Sequence, residues 1–150
     1  MSRADLVVAL DEARTLAMGP IIETAPITDA PAIAPLLLRI LTAASDTPEV
    51  LAELADVPAA RALLRITDAA AAIEFQAGEG RLHAESADVK GRGPKVDATA
   101  RTWLGLLGGT LRPWLAFTRG LVICRAGLTE LRWMQTVAER LQRGYEATRH

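Results

Sequence analysis

Few side chains in this chain are of the types that perform chemistry by themselves. The 150-residue sequence contains one cysteine, Cys124, and two histidines, His83 and His150. A thiol activated by a histidine is a nucleophile, and a histidine alone can act as a general base near neutral pH. No histidine lies near Cys124 along the chain, and His150 is the last residue. His83 shares the polar face of a predicted strand with Arg81 and Glu85. We interpret His83 as a solvated surface residue and Cys124 as a small apolar one.

The sequence contains no motif for metal or phosphate binding either. A single thiol forms neither an intramolecular disulfide nor a zinc or iron–sulfur site, which fits a reducing compartment. The acidic pair Asp11 and Glu12 falls on the surface of a predicted helix, and the GRGP segment at 91–94 lacks the Lys-Ser/Thr of a phosphate-binding loop. We therefore predict no catalytic residues, no metal and no cofactor, and expect a protein that is not an enzyme.

The composition describes a globular chain with one sizeable core. Half of the residues are hydrophobic but only 4% are aromatic, so an aliphatic interior is expected. The pI near 6.1 and the lack of basic clusters interleaved with aromatic residues argue against nucleic-acid binding. No signal peptide and no apolar run long enough to cross a membrane is evident, so we predict a soluble, cytoplasmic protein.

Charge is distributed unevenly along the chain. Residues 1–60 contain 3 basic and 9 acidic side chains (−6), and residues 61–150 contain 14 and 9 (+5), which sums to the net charge of −1. Three explanations fit this asymmetry: the acidic N-terminal part packs against the rest of the protein, the basic part binds an anionic surface, or the charges are simply distributed unevenly over a solvated surface. We favour the third explanation. The C-terminal helical stretch has only a mild positive surplus, so we expect at most weak membrane contact.

Hydrophobic spacing predicts helices in the first third of the chain. Apolar residues at three- and four-residue steps indicate an amphipathic helix over about the first seventeen residues, ended by Gly19 and Pro20. Four prolines between 20 and 35 predict an extended connector. A very apolar helix is expected to begin at Pro35 and end at Ser45 or Asp46, followed by a short helix after Thr47.

The periodicity then changes to two, which predicts strands with one wet face. Alternation over residues 62–67, 73–77, 81–86 and 95–101 indicates a four-strand meander. Helical spacing returns over 101–118 in two short pieces, residues 120–124 form a strand that is apolar on both faces, and the longest helix begins near Gly127. The fold class predicted is α+β: a five-stranded, mostly antiparallel sheet covered on one face by helices, with an N-terminal helical extension.

One stretch resembles a known signature. Residues 106–124, LLGGTLRPWLAFTRGLVIC, resemble the pattern of the sterol carrier protein 2 family, Leu-Leu-x-Gly-x-Leu-x-Pro-x-x-Ala-Phe-x-x-Gly, which precedes the last strand. The matching residues are Leu106, Leu107, Gly109, Leu111, Pro113, Ala116, Phe117 and Gly120. The resemblance covers roughly residues 58–145. It implies a layer sandwich with a hydrophobic tunnel between sheet and helices, which binds sterols, fatty acids, acyl-CoAs or phospholipids without chemistry of its own.

Two departures from the family pattern stand near the last strand. Ala126 and Gly127 replace the family's usual Gly-Asp pair, which puts a standard turn in doubt, and Leu121 and Ile123 occupy outer-face positions that are usually polar. We therefore predict that this outer face is covered, either by the N-terminal extension or by a second subunit in a homodimer.

The resemblance implies a division of the chain into two parts and a set of residues that line the cavity. Residues 1–57 would be N-terminal helices and a proline-rich arm that pack on the core, and residues 58–150 an SCP2-like lipid-binding domain, together one globular unit. The residues predicted to line the cavity are Leu64, Ile66, Phe75, Trp103, Leu107, Leu111, Trp114, Leu115, Phe117, Leu131, Met134 and Ala138. Trp103, Trp114 and Trp133 are the candidate aromatic walls, with ordinary core packing as the favoured alternative for each.

Three functions follow from these observations. In the first, the protein carries a lipid or another elongated hydrophobic molecule, held by about 0.8 kcal/mol per buried methylene. In the second, its own side chains fill the cavity and the domain is an interaction or accessory module. In the third, it shapes a hydrophobic intermediate for a biosynthetic enzyme. Aliphatic packing that leaves a gap and aliphatic packing that is solid have the same sequence pattern.

Overall fold

The computed structural model describes residues 3–17, 30–125 and 127–148. Eleven elements follow one another in these parts of the chain. The helices are α1 (Arg3–Ala17), α2 (Ala30–Ala44), α3 (Pro48–Glu53), α4 (Ala100–Gly108), α5 (Pro113–Thr118) and α6 (Leu128–Thr148). The strands are β1 (Ala60–Ile66), β2 (Ala71–Gly78), β3 (Arg81–Ala87), β4 (Lys95–Ala98) and β5 (Ile123–Cys124). The predicted α+β class and the N-terminal helices are confirmed.

The five strands form one mixed sheet in the order β3-β2-β1-β4-β5. The pairs β1–β2, β2–β3 and β4–β5 are antiparallel, and β1–β4 is parallel. The prediction of a five-stranded, mostly antiparallel sheet is confirmed, but the predicted four-strand meander is wrong, because β4 lies beside β1 and not beside β3.

The connection between β3 and β4 explains this arrangement. Residues 88–94 pass over the outer face of β1, where the Val89 carbonyl accepts a hydrogen bond from Arg65 and Gly91 approaches the Leu63 side chain. The Pro94 carbonyl then accepts from the Leu63 amide at 2.7 Å, which begins the parallel pairing. Local alternation identifies a strand, but only this seven-residue crossing decides which neighbour the strand meets.

One face of the sheet is apolar and buried. Leu64 and Ile66 of β1 and Ile73 of β2 are 1% exposed, and Phe75 is fully buried. These residues share a single core with the buried side chains of α1, α2, α4 and α6. In addition, the Trp103 indole of α4 donates a hydrogen bond to the Arg65 carbonyl at 2.9 Å, which ties this helix layer to the central strand. The prediction that helices cover one sheet face is confirmed.

The opposite face is held by ion pairs. Asp97 of β4 is 5% exposed and accepts hydrogen bonds from Arg65 at 2.6 and 2.7 Å and from Arg125 at 2.7 Å. The hydrogen bond from Arg65, reinforced by Arg125, lowers the pKa of the Asp97 carboxyl despite its burial. One carboxylate therefore joins β1, β4 and the residue that follows β5.

The prediction of an extended connector from 20 to 35 is wrong at its C-terminal end. The helix α2 begins at Ala30 and contains Pro31 and Pro35, whereas residues 20–29 lie outside the described part of the chain. Pro31 falls in the first helical turn, where its missing amide hydrogen has no intrahelical acceptor. The cost of Pro35 is offset by the burial of the apolar residues that follow it, including Leu36 and Leu37.

Two further boundaries differ from expectation. β4 ends at Ala98 and does not reach residue 101, because the Thr99 hydroxyl accepts from the Thr102 amide and so caps α4. β5 is only two residues long, and Leu121 and Ile123 are 42% and 52% exposed. The predicted cover by the N-terminal extension is therefore wrong for the described residues.

The helices α3 and α6 pack closely against each other. A Cβ atom placed on Gly144 would lie 2.7 Å from the Val50 Cα and 2.9 Å from its Cγ2. Val50 is fully buried, so its backbone has no room to move away. Glycine at 144 is thus required by the approach of the two helices rather than by backbone conformation.

We predict that Gly144→Ala destabilises the protein by at least about 2 kcal/mol, although alanine is the better helix former by about 1 kcal/mol. Chemical denaturation measures this difference. The control is Ala147→Gly at an exposed position in the last turn of the same helix, which should cost less than about 1 kcal/mol. A Gly144→Ala protein as stable as the native one would contradict the close packing of α3 on α6.

We also predict that Asp97→Asn destabilises the fold by about 2 kcal/mol at pH 7. Because the folded-state pKa is below the unfolded value of about 3.9, this stabilisation is complete above that pH and is lost as the pH falls through the folded pKa. Denaturation from pH 7 down to about pH 2 should show the native and variant proteins converging. Glu85→Gln, in an exposed pair with His83, is the control and should change stability by at most about 0.5 kcal/mol.

Candidate functional site

An apolar groove lies between the sheet and the first turns of α6. Its volume is about 560 Å³, within the range of pockets that hold small organic ligands. We call it the α6 groove. Its lining residues are Val57, Pro58, Ala60, Arg61, Ala62, Pro94, Val96, Thr129, Glu130, Arg132, Trp133 and Thr136. Four separate segments thus meet there: the chain before β1, β1 itself, the start of β4, and α6.

Small side chains on the strands create this space. Ala60 and Ala62 lie on the apolar side of β1, in the alternating positions that Leu64 and Ile66 occupy further along the strand. Val96 of β4 is paired with Leu64 and is only 1% exposed. An alanine leaves the volume of several methylene groups unfilled relative to leucine, so the helix and sheet separate into a groove at this end and stay packed at the other.

Trp133 forms the aromatic wall of the α6 groove. Its indole nitrogen donates a hydrogen bond to the Pro58 carbonyl at 2.9 Å, and its ring packs against Phe75 with the centroids 6.2 Å apart and the planes tilted by 60°. Tilted aromatic contacts of this kind are favourable. The indole is therefore fixed from two sides, by a main-chain acceptor and by the core.

The Pro58 carbonyl, which accepts this hydrogen bond, is held in place by the turn between β2 and β3. Gly78 has φ of +125°, and a Cβ atom on it would clash with the Pro58 carbonyl oxygen. Only glycine both adopts this conformation readily and permits this approach. The Glu79 amide also donates to the Val57 carbonyl at 2.8 Å. This close contact sets the position of Pro58 and, through it, of Trp133.

The polar residues that line the groove, Arg61, Thr129, Glu130, Arg132 and Thr136, include no catalytic arrangement. Arg61 pairs with Glu74 at 2.6 Å, and Arg132 is exposed. Neither histidine nor cysteine lines the groove. The side chain of His83 is 61% exposed and 3.6 Å from Glu85, while the half-buried Cys124 donates weakly to the Gly127 carbonyl at 3.8 Å. Among the described residues, no three metal-ligating side chains converge.

A second depression, of about 780 Å³, lies around the turn between β2 and β3. Its lining includes the polar side chains Arg61, Gln76, Glu79, Arg81 and His83. This mixture of charged and amide groups around exposed backbone does not form a continuous apolar wall. Of the two, the α6 groove is therefore the better candidate for a ligand that is mostly apolar.

The structure distributes the twelve predicted cavity residues over three environments. Seven are at most 1% exposed, namely Leu64, Ile66, Phe75, Trp103, Leu107, Met134 and Ala138. Leu111, Leu115, Phe117 and Leu131 are half-buried, and Trp114 is 53% exposed. None of the twelve lines the α6 groove, although Phe75 supports Trp133 from behind.

Sequence reasoning named one wall residue, Trp133, and missed most of the rest. Alternation had placed Ala62 and Val96 on the dry face, and their small size was the available signal for a gap. Nothing local indicates that Pro58 and Pro94 lie together, because the two are brought together by the parallel β1–β4 pairing.

Comparison with known proteins supports the fold. No protein-family model matches the chain, and no curated protein is significantly similar to it. A crystal structure of sterol carrier protein 2 is 19% identical with a TM-score of 0.54, and the match covers 77% of this chain and 95% of that one. The solution structure of a conserved hypothetical protein from Thermus thermophilus, described as a candidate sterol carrier protein, is 19% identical with a TM-score of 0.51, covering 77% and 85%.

At this level of identity the likeness concerns the fold alone. The chain has the sterol carrier protein 2 fold, and the resemblance seen in residues 106–124 is confirmed in that respect. Among the described helices, none combines the length and apolar character needed to cross a bilayer.

We predict that Trp133→Phe lowers the free energy of unfolding by about 1 kcal/mol, because the Pro58 carbonyl loses its donor while the ring contact is largely kept. Thermal or chemical denaturation measures the change. Trp114→Phe, at an exposed position outside the groove, is the matched control and should change stability by at most about 0.5 kcal/mol. Equal effects of the two substitutions would contradict the anchoring role of the indole.

Proposed function

We propose that this protein binds an elongated hydrophobic molecule, such as a fatty acid, a sterol or an acyl-CoA, in the α6 groove and carries or presents it without chemistry of its own. The observation that carries the proposal is the groove itself, about 560 Å³ between sheet and helix, with alanine, valine and proline walls and a fixed Trp133. The sterol carrier protein 2 fold supports the same class of ligand.

The energetics of such a site need no specific polar contact. Each methylene transferred from water contributes about 0.8 kcal/mol, so about ten buried carbons offer roughly 8 kcal/mol before the costs of ordering. The lining also includes the exposed residues Arg61 and Arg132, beside which a polar end of the ligand would stay in water. The groove therefore suits an amphiphile whose apolar part enters first.

We further propose that residues 58–150 form the ligand-binding unit and that residues 1–57 extend it. The contacts support this division, because Val57 is the only groove-lining residue from residues 1–57, and α1 and α2 pack mainly on each other and on α4, while α3 packs on α6. No histidine, cysteine or serine is among the lining residues, which supports a binding role rather than catalysis. A cytoplasmic location stays a prediction of the sequence.

One observation favours a second candidate, the accessory module. Seven residues that were expected to line a tunnel, among them Phe75 and Trp103, are instead packed in the core. If the α6 groove also closes around its own side chains in solution, the domain would act on a partner protein, in the extreme case a biosynthetic enzyme, and not on a lipid. Ligand binding separates the two candidates.

We predict that Ala60→Phe lowers the affinity for a hydrophobic ligand at least about tenfold, because the ring occupies space where two or more ligand methylenes would lie. Ala60 is exposed at the groove, so the substitution leaves the core intact. Cis-parinaric acid and dehydroergosterol serve as fluorescent probes of a chain-like and a sterol ligand. Ala147→Phe, on an exposed position of α6 away from the groove, is the control and should bind as the native protein does.

Two results would contradict the proposal. Absence of binding by both probes, together with no lipid extracted from the purified protein, would exclude the carrier function and favour the accessory module. Binding that is weakened by Trp114→Ala but not by Ala60→Phe would place the ligand beside α5, as the sequence pattern predicted, and not in the α6 groove.

A further inference from the structure

The strand β3 forms one edge of the sheet. The order β3-β2-β1-β4-β5 leaves it with a single strand neighbour, β2. Within the described parts of the chain, no backbone hydrogen bond joins β3 to any element other than β2. The helix α2 packs against both β2 and β3, which places it over a face of the sheet rather than along this edge. Every second amide and carbonyl group of β3 therefore points away from the sheet without a strand to receive it.

This edge lacks the usual structural protection against a further strand. Natural proteins often protect a sheet edge with a very short strand, a proline, a lysine or a bulge. The strand β3 is seven residues long and contains neither proline nor lysine. Its pairing with β2 runs without a bulge from Arg81 to Ala87. The opposite edge differs, because β5 has only two residues. Of the two edges, β3 is the better one for strand addition.

The charged side chains of β3 are arranged symmetrically about His83. Arg81 and Glu85 are two residues before and two residues after it, so all three lie on the polar face of the strand, and all three are exposed. Arg81 forms no ion pair with any described residue, and Glu85 is only 3.6 Å from the imidazole of His83. Glu85 also lies directly opposite Glu74 of β2, a like charge. Within one molecule the charges of this edge are thus poorly compensated.

We propose that β3 pairs with the β3 of a second copy of this chain, antiparallel and about a two-fold axis that passes through the sheet at His83. Arg81 then lies opposite Glu85 of the partner subunit, and the axis repeats this pair on the other side. On the apolar face, Leu82 and Ala84 come to lie opposite each other in the same way. The two five-stranded sheets join into one continuous sheet.

The charge pattern favours this register over its neighbours. With the axis at Ala84, Arg81 would lie opposite Ala87 and would lose its acidic partner. With the axis at Leu82, Glu85 would lie opposite Glu79, a like charge. Opposite charges directly across two strands stabilise their pairing, and like charges destabilise it. The residues that make β3 a poor partner for an unrelated edge therefore select a second β3 in one register.

Such a dimer leaves the α6 groove open. The strand residues that line the groove belong to β1 and β4, and β2 separates both of these strands from β3. This inference therefore goes beyond ligand binding, because it concerns a partner and a surface that the groove does not include. A contact of one strand pair is small, so the dimer should be reversible and dissociate on dilution.

Sedimentation velocity of the full chain tests the proposal. Over about 0.01–1 mM protein we expect a monomer–dimer equilibrium, measured at about pH 8, where histidine side chains are uncharged. Arg81→Glu and Glu85→Arg each place like charges at both cross-strand pairs and should weaken dimerisation at least about tenfold. A mixture of these two variants should regain dimers, because every glutamate at positions 81 and 85 of one variant then faces an arginine of the other.

The recovery on mixing separates the proposal from a folding defect, since misfolded variants would not restore each other. Arg143→Glu and Glu146→Arg, on exposed positions of α6, are the charge-matched controls. Each control should dimerise as the native protein does, and mixing the two should change nothing.

Hydrogen exchange locates the contact. At high protein concentration the amides of residues 81–87 that point away from the sheet should exchange more slowly than at low concentration. Protection at Leu121 and Ile123 instead would overturn the proposal in favour of the interface that the sequence pattern predicted. A native protein that stays monomeric at about 1 mM, single variants that dimerise like the native protein, or a mixture that stays monomeric would also overturn it. None of these results depends on whether the fluorescent ligands bind, so the two proposals fail separately.

Discussion

A sheet with one apolar face is stable in water only when helices remove that face from solvent, and this requirement organises the molecule. The inner residues of β1 and β2 and the buried sides of α2, α4 and α6 make one core. The outer face keeps its charges, with Asp97 shared between Arg65 and Arg125. At the end of β1 that carries Ala60 and Ala62, the inner side chains are too small to reach α6. The space left between sheet and helix is the α6 groove.

The groove keeps its shape because its wall is supported from outside the groove. The turn at Gly78 approaches the Pro58 backbone, the Pro58 carbonyl accepts from Trp133, and Phe75 stands behind the indole. A wall held in this way is pre-organised, so a ligand would not have to order it on binding. The alanine positions leave the space beside this wall unfilled.

Much of the fold follows from local pattern alone. The spacing of apolar residues predicted α1, α4, α5 and α6, the alternation predicted β1 to β3, and residues 106–124 indicated the fold, because side-chain periodicity reflects which face of an element is buried. The start of α2 escaped prediction, since Pro31 and Pro35 signal a break that tertiary burial overrides. The N-cap at Thr99 was hidden within an alternating run.

The candidate site depended on contacts that no local pattern contains. The sequence by itself determined that one sheet face is dry, that small residues such as Ala62 lie on it, and that Trp133 belongs to an amphipathic helix. Only the tertiary structure decided that β4 crosses to the side of β1, which brings Pro94 and Val96 to Pro58 and Trp133. A groove is a mismatch between surfaces from distant segments, so its existence depends on how closely these surfaces approach and not on the periodicity of any one of them.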